Sequence, residues 1–451
     1  MGGLLRLISR RPSLAPCSLR NASCHLWPSR CNNLFLHRSL QHRSKMSTST
    51  SAASSGNSTT FTILLLGDLM IGRLIDALLP TSIAREHPES CPEDAAHTVD
   101  TYILPNNPQL KSYNYRSPWG NAVDLIRSSD GVLVNLETAL TTGTTPWPGK
   151  VFNYRSHPGN VKCLTEVGLG GGSHKASVSL ANNHTLDWSK DGLVQTVQTL
   201  SDAGIEFAGA GRTKEEAAQP GIIELSGTDG KKWDVKCWSF SDHPTDWKSE
   251  ECLNLIDYTS KSRDLMKRQI MAADQTKDSK KTSGCLGLKV VSMHWGPNYR
   301  WHPAHEIVAT AHWLIDECDV DLIHGHSSHH VQGVEVYKGK LIVYGCGDFV
   351  DDYAVDAQWR NDLSAAWRVT VGEKEDRPDD RLEVKKLEVF PNRIRKFQAN
   401  LLKPEDQDHK WVEMKFRELC GRFGTNVEHD LGQDWQLVVD MKKQHRQEVE
   451  N

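Results

Sequence analysis

Six short apolar runs, each closed at once by residues able to do chemistry, constrain this 451-residue chain more than any other feature. FTILLLGD (61–68) ends in Asp68, and GVLVNLE (131–137) ends in Asn135 and Glu137. ASVSLANNH (176–184) ends in Asn183 and His184, and LKVVSMHWG (288–296) carries His294. VDLIHGHSSHH (320–330) carries His326, His329 and His330, and KLIVYGCGDF (340–349) carries Asp348. Apolar runs of about four to eight residues bounded by Gly or Asn read as buried strands. Between them, 192–204 reads as a helix with Leu193, Val197 and Leu200 on one face and Gly204 at its end. Residues 304–317 read as another, with Ile307, Ala311 and Leu314 aligned. Strands alternating with helices predict an α/β fold. Such folds bind ligands beyond the carboxyl ends of their strands, so the polar closers are predicted to share one crevice.

Charge narrows the partners. The net charge is -4, but residues 1–67 hold eight Lys/Arg and no acid, leaving 45 basic and 57 acidic residues in the remainder. That acidic body argues against nucleic acid, whose phosphates need a basic surface. No apolar stretch reaches the roughly 18–20 residues that span a bilayer. The 11 cysteines form no CxxC pair, which reads as buried or free thiols rather than a disulfide frame or zinc knuckle.

The ends read differently from the body. Residues 1–45, rich in Arg, Ser and Leu, have the composition of a mitochondrial transit peptide or a disordered leader. Residues 46–60 read as a Ser/Thr-rich linker, and Met46 is a second plausible start. Translation from Met1 would direct the product to mitochondria, and from Met46 would leave it cytoplasmic. Residues 272–284 read as a solvated loop, 372–381 as a charged hairpin, 381–390 as an exposed strand and 441–451 as a disordered tail.

Eight of the 20 histidines fall within 294–330. His302, His305 and His312 sit on a loop or helix, whereas His294, His326 and His329 close strands. Imidazole, carboxylate and amide oxygen together suit Mn, Zn or Fe, and carboxylates can bridge two ions. The GLGGGS segment (168–173) lacks the Lys of a phosphate-binding loop and reads as a plain loop.

The motifs GDLMIGR (67–73), NLETAL (135–140), SLANNHTLDW (179–188), HWGPNYRWHP (294–303) and GHSSHHVQGVEVYKGKLIVYGCGDF (325–349) resemble, in order and spacing, the bacterial capsule-synthesis CapA family. This family is also called poly-gamma-glutamate biosynthesis protein. The resemblance covers roughly 61–372, with 373–440 supplying a strand and helix that complete the domain. It implies the four-layered αββα sandwich of calcineurin-like metallophosphoesterases. It further implies Asp68, Asn183, His294, His326 and His329 as metal ligands, Glu137 as the bridging carboxylate, His184 as general acid, and Arg73 and Asn135 as substrate contacts. The implied cofactor is one or two divalent transition-metal ions. The implied activity is hydrolysis of a phosphoester or acidic polymer by a metal-bound water; the alternative is a non-catalytic subunit of a polymer synthesis or transport complex. Met70 stands where typical metallophosphoesterases have His, as is usual in the CapA family; departures from the family pattern are Asn298 for Glu, Ser327 and Ser328 for His-Pro, and Asp348 for Asn. Met70 implies that one metal site is incomplete and that a single ion binds, and His330 falls at a position usually apolar in the family.

Overall fold

Alternation along the first strand shows how the layers are built. In Thr60–Leu69, Ile63 and Leu65 point into a core between two sheets, whereas Leu64 and Leu66 point to the opposite face, under helices. The two faces of one strand therefore serve two cores, and the run is apolar throughout because both sides are covered. Burying each of these side chains contributes about 1.5–3 kcal/mol. The computed structural model describes residues 59–90, 94–275, 285–374 and 377–444. The leader and nearly all of the Ser-rich linker lie outside the described residues.

One sheet has nine strands. Its order is Ala399–Leu401, Arg377–Ile394, Leu363–Lys374, Thr60–Leu69, Gly131–Leu136, Ala176–Ser179 and Glu206–Ala208. Asp348–Val350 pairs beside Thr60–Leu69, and Leu437–Asp440 beside Arg377–Ile394. The second sheet has six strands, in the order Val334–Tyr337, Lys340–Val343, Leu322–His326, Cys285–His294, Lys232–Ser241 and Gly221–Ser226. Leu133 from the first sheet joins Ile223, Trp233, Val290 and Leu322 from the second in the core between them. Outside the second sheet, Val291 and Ile323 pack with Ile307, Ala311 and Leu314 of the helix His305–Cys318. Outside the first, Leu193 and Val197 of the helix Ser189–Asp202 join Val134 and Val178. Helix, sheet, sheet, helix is the αββα sandwich.

Four local expectations change. Arg377–Ile394 is not exposed: Leu382, Val384, Leu387 and Val389 are buried between the sheets, so its alternation reports one covered face. Helix Ser260–Gln275 runs into the segment read as a loop from 272. Residues 441–444 form a helical turn rather than disorder, with Met441 in the inter-sheet core. Strands Gly221–Ser226 and Lys232–Ser241 add to the set that the apolar runs predict. Among the described residues no helix is long and apolar enough to cross a membrane.

Register decides what meets at the strand ends. Asp68 lies opposite Asn135 on one side and Asp348 on the other, and Asn135 lies opposite Ser179. In the second sheet His294 lies opposite both His326 and Ser241. The sheets touch at this edge, where His324 Nε2 donates to the Leu66 carbonyl at 2.9 Å.

Candidate metal centre

Two sets of side chains at this edge hold their ligand atoms within 4.8 Å of one another: Asp68, His294 and His326, and Asp68, Glu137, His329 and Asp348. Asp68 belongs to both. All six residues are buried.

The tautomer of His326 follows from a chain of hydrogen bonds. His324 Nε2 must donate to the Leu66 carbonyl, so its Nδ1 accepts from the Ser292 hydroxyl at 3.1 Å. Ser292 Oγ then accepts from His326 Nε2 at 2.9 Å. His326 Nδ1 is left with a lone pair, facing His294 Nδ1 at 2.8 Å and Asp68 Oδ1 at 3.8 Å. Fixing one imidazole nitrogen so that the other is free to ligate is the usual outer arrangement of a metal-bound histidine. Asn135 Nδ2 holds Asp68 Oδ1 at 2.8 Å, and the Ser327 N–H reaches Asp68 Oδ2 at 3.3 Å. His329 and Ser327 both adopt the left-handed region, at φ 62° and 94°, strain that clusters at functional loops.

The electrostatics are those of a site built around a cation. Burial pushes Asp68 up to about 6 against its hydrogen bonds, and raises Asp351 to about 7. Burial together with neighbouring carboxylates drives Glu137 and Asp348 well above the carboxylate range. Burial also holds His294 and His326 well below their ordinary value and His329 at about 3, so all three are neutral lone-pair donors. Both oxygens of Glu137, Asp348 Oδ2 and Asn183 Oδ1 are buried with no hydrogen-bond partner. Buried polar atoms are normally satisfied, and the three orphan oxygens of Glu137 and Asp348, both in the second set, are what a divalent ion would satisfy. The donors present therefore fit the group.

The structure thus brings together Asp68, Glu137, His294, His326 and His329. Asn183 contributes an unpartnered side-chain oxygen. Asn135 is fully buried, its amide nitrogen on Asp68 and its oxygen accepting from Asn182 Nδ2 at 3.0 Å, so it orients Asp68. Arg73 Nε reaches Asp352 Oδ1 at 2.9 Å, and its guanidinium lies 4.8 Å over the Tyr154 ring. Met70 is buried, and Asp348 on the adjacent strand stands in the second set. His330 packs its ring 4.4 Å from Trp301.

A family model described as bacterial capsule synthesis protein PGA_cap matches residues 62–353, a span that holds every residue of both sets. The chain belongs to the bacterial capsule synthesis protein family. A probable polyglutamine synthesis accessory protein of Mycobacterium tuberculosis is 31% identical over 380 residues, 82% of this chain and 94% of that one. The capsule biosynthesis protein CapA of Bacillus anthracis is 30% identical over 195 residues, covering 43% of this chain and 42% of its own. The PGA biosynthesis protein CapA of Bacillus subtilis is 24% identical over 299 residues, covering 64% and 62%.

Several groups in this member of the family escaped sequence reasoning. Asp187 Oδ2 lies 2.6 Å from His184 Nδ1 and accepts from the Tyr154 N–H at 2.6 Å, while Lys150 pairs with its other oxygen. His184 Nε2 then faces the cluster, 3.8 Å from Glu137 Oε1. Burial first, and Lys150 with it, holds this imidazole at about 4 although Asp187 opposes them. Asp187 stands three residues after His184, a visible signal, but Lys150 comes from a separate loop. Asp242 and His243 close strand Lys232–Ser241 in the same manner as the other polar closers, with the His243 ring 5.0 Å from that of His294.

Glu137→Gln offers a test with an unusual sign. Gln cannot ionise, so it removes the cost of protonating and burying this unpartnered carboxyl and is expected to stabilise the metal-free protein by about 1–3 kcal/mol. Thermal unfolding of the chelator-treated variant should give a higher Tm than wild type, while added Mn²⁺ should raise Tm less than in wild type.

Proposed function

We propose that this chain is a metal-dependent hydrolase acting on a phosphoester or an acidic polymer. The observation that carries the reading is the pair of ligand sets that share Asp68, the second of which contains Glu137, whose two buried oxygens have no hydrogen-bond partner. Asp68, His294 and His326, with Glu137, His329 and Asp348, would hold one or two Mn, Zn or Fe ions, and Asn183 adds an amide oxygen. A divalent ion there lowers the pKa of water and offsets charge on the oxygens of the scissile group.

The chain's own residues do the rest. Water adds at the phosphorus or carbonyl carbon, the bond to the leaving atom breaks, and a proton must reach that atom. Asp187 holds the His184 Nδ1–H, so that the Nε2 lone pair faces the cluster, where it would take the proton that the water gives up and pass it to the leaving atom. Tyr154 stacks on His184 at 4.0 Å between centroids and fixes the plane of the ring. Asn135 and Asn182 fix Asp68 and the loop that bears His184.

A second reading, a non-catalytic accessory subunit, is favoured by the similarity to the mycobacterial polyglutamine synthesis accessory protein. Turnover separates the two. With Mn²⁺, the wild-type chain is expected to release p-nitrophenolate from p-nitrophenyl phosphate. Asp68→Asn should lower the rate more than about 100-fold, since outer-shell changes alone cost up to that much. Its circular dichroism should stay native. Equal rates in the two proteins would favour the accessory role.

A further inference from the structure

An unbroken arc of aromatic rings starts at His184 and runs past the metal cluster. Tyr154 stacks on His184, and Tyr353 lies 5.8 Å from Tyr154. The Tyr353 ring meets His329 edge-on at 5.4 Å, and Tyr299 approaches His329 at 5.8 Å. Trp359 stacks on Tyr299 at 6.1 Å, and Trp301 follows at 5.1 Å. Tyr299, Trp301, Tyr353 and Trp359 are half-buried rather than packed away, so each keeps some surface for a ligand. Tyr299 is held at φ 62°, a strained conformation for a bulky residue that sets its ring against His329.

Charge along the same arc points away from a polyanion. Arg73 is paired with Asp352, Lys150 with Asp187, Arg360 with Asp362 and Asp408, and Lys415 with Glu418. Lys415 also lies 4.9 Å over the Trp301 ring. Arg300, exposed, is the cation of this loop with no acidic partner among the described residues. A γ-glutamyl chain carries one carboxylate per residue and needs a row of available cations. A ring needs a flat, partly apolar platform, which aromatic side chains supply.

Building on the proposed hydrolase reading, we infer that the substrate is a phosphoester whose alcohol bears a ring, a sugar or a nucleoside, with the ring on the arc and the phosphoryl group at the metal cluster. Trp359 and Tyr299 are the platform residues.

Binding at equilibrium tests this. The full chain, loaded with Mn²⁺ and carrying His184→Asn so that turnover does not consume ligand, is titrated calorimetrically with four probes. These are inorganic phosphate, glucose 1-phosphate, adenosine 5′-monophosphate and a γ-glutamyl hexamer. At least one ring phosphate is expected to bind about tenfold or more tightly than inorganic phosphate. Which of the two gains identifies a sugar or a base as the stacked ring. Trp359→Ala should abolish the gain, and Trp359→Phe should retain most of it. The inference is overturned if the hexamer binds more tightly than both ring phosphates, or if folded Trp359→Ala keeps the full gain. Phosphate binding with no gain from either ring overturns the inference and leaves the hydrolase reading standing. No phosphate binding at all overturns both.

Discussion

Gly67→Ala is expected to destabilise the protein by about 3 kcal/mol or more. A methyl group on Gly67 would overlap the Gly347 carbonyl oxygen and crowd the Cys346 side chain. Neither strand can give way. Asp68 N–H bonds Gly347 O at 3.3 Å, and the next position sets Asp68 opposite Asp348 in a parallel pair. Overpacking a core usually costs about 1–3 kcal/mol, and a backbone clash at a pinned strand belongs at or above the upper end of that range. Gly421→Ala is the control: nothing lies within 4 Å of its added carbon, and the change should be neutral or stabilising by up to about 1 kcal/mol. Urea unfolding of both variants measures the contrast, and equal stability would mean that the close approach of these strands is not needed.

Asp187→Asn is expected to lower kcat by about 10³–10⁴-fold, the size of effect seen when the carboxylate that orients a catalytic imidazole is lost. The carboxylate is fully buried and divides its oxygens between His184, Lys150 and the Tyr154 N–H. An amide there presents a donor to His184 Nδ1 or loses the contact, so the proton moves to Nε2 or the ring turns. It also leaves the half-buried Lys150 without its carboxylate, which weakens the loop that carries it. The measurement therefore needs circular dichroism beside p-nitrophenyl phosphate turnover, and Asp187→Glu as a charge-retaining partner. Metal content should stay at the wild-type level, because Asp187 is in neither ligand set. A folded Asp187→Asn protein with unchanged kcat would remove His184 from the proton path.

Six strands of the sandwich were legible because each is an apolar run buried on both faces and ended by a change in chemistry. The same rule exposed Asp68, Glu137, His294, His326 and His329, since strand ends in a parallel sheet share one edge. It failed at Lys232–Ser241, where buried Asp234 and Lys236 interrupt the run and hide the strand. With that strand went Asp242 and His243. Arg377–Ile394 was visible as an alternating segment, but alternation alone does not say whether the covered face meets a sheet or solvent. Lys150 and Tyr154 were beyond sequence reasoning for a different reason. Their partners, His184 and Asp187, lie some thirty residues on, and only the folded loop brings them together. Asn135 was legible as a strand-end amide, whereas its role depends on the neighbouring strand that places Asn182 against it.

The central claim is that the buried carboxylates and imidazoles at the strand ends form a metal centre. The most direct measurement is elemental analysis of the full chain after chelation and dialysis against Mn²⁺ or Zn²⁺, with Asp68→Asn beside it. About one or two ions per wild-type chain are predicted, as expected of a one- or two-metal hydrolase, with most of them lost in the variant because Asp68 is shared by both sets. A folded wild-type chain that takes up neither metal, or an Asp68→Asn variant that holds as much metal as wild type, would contradict the account.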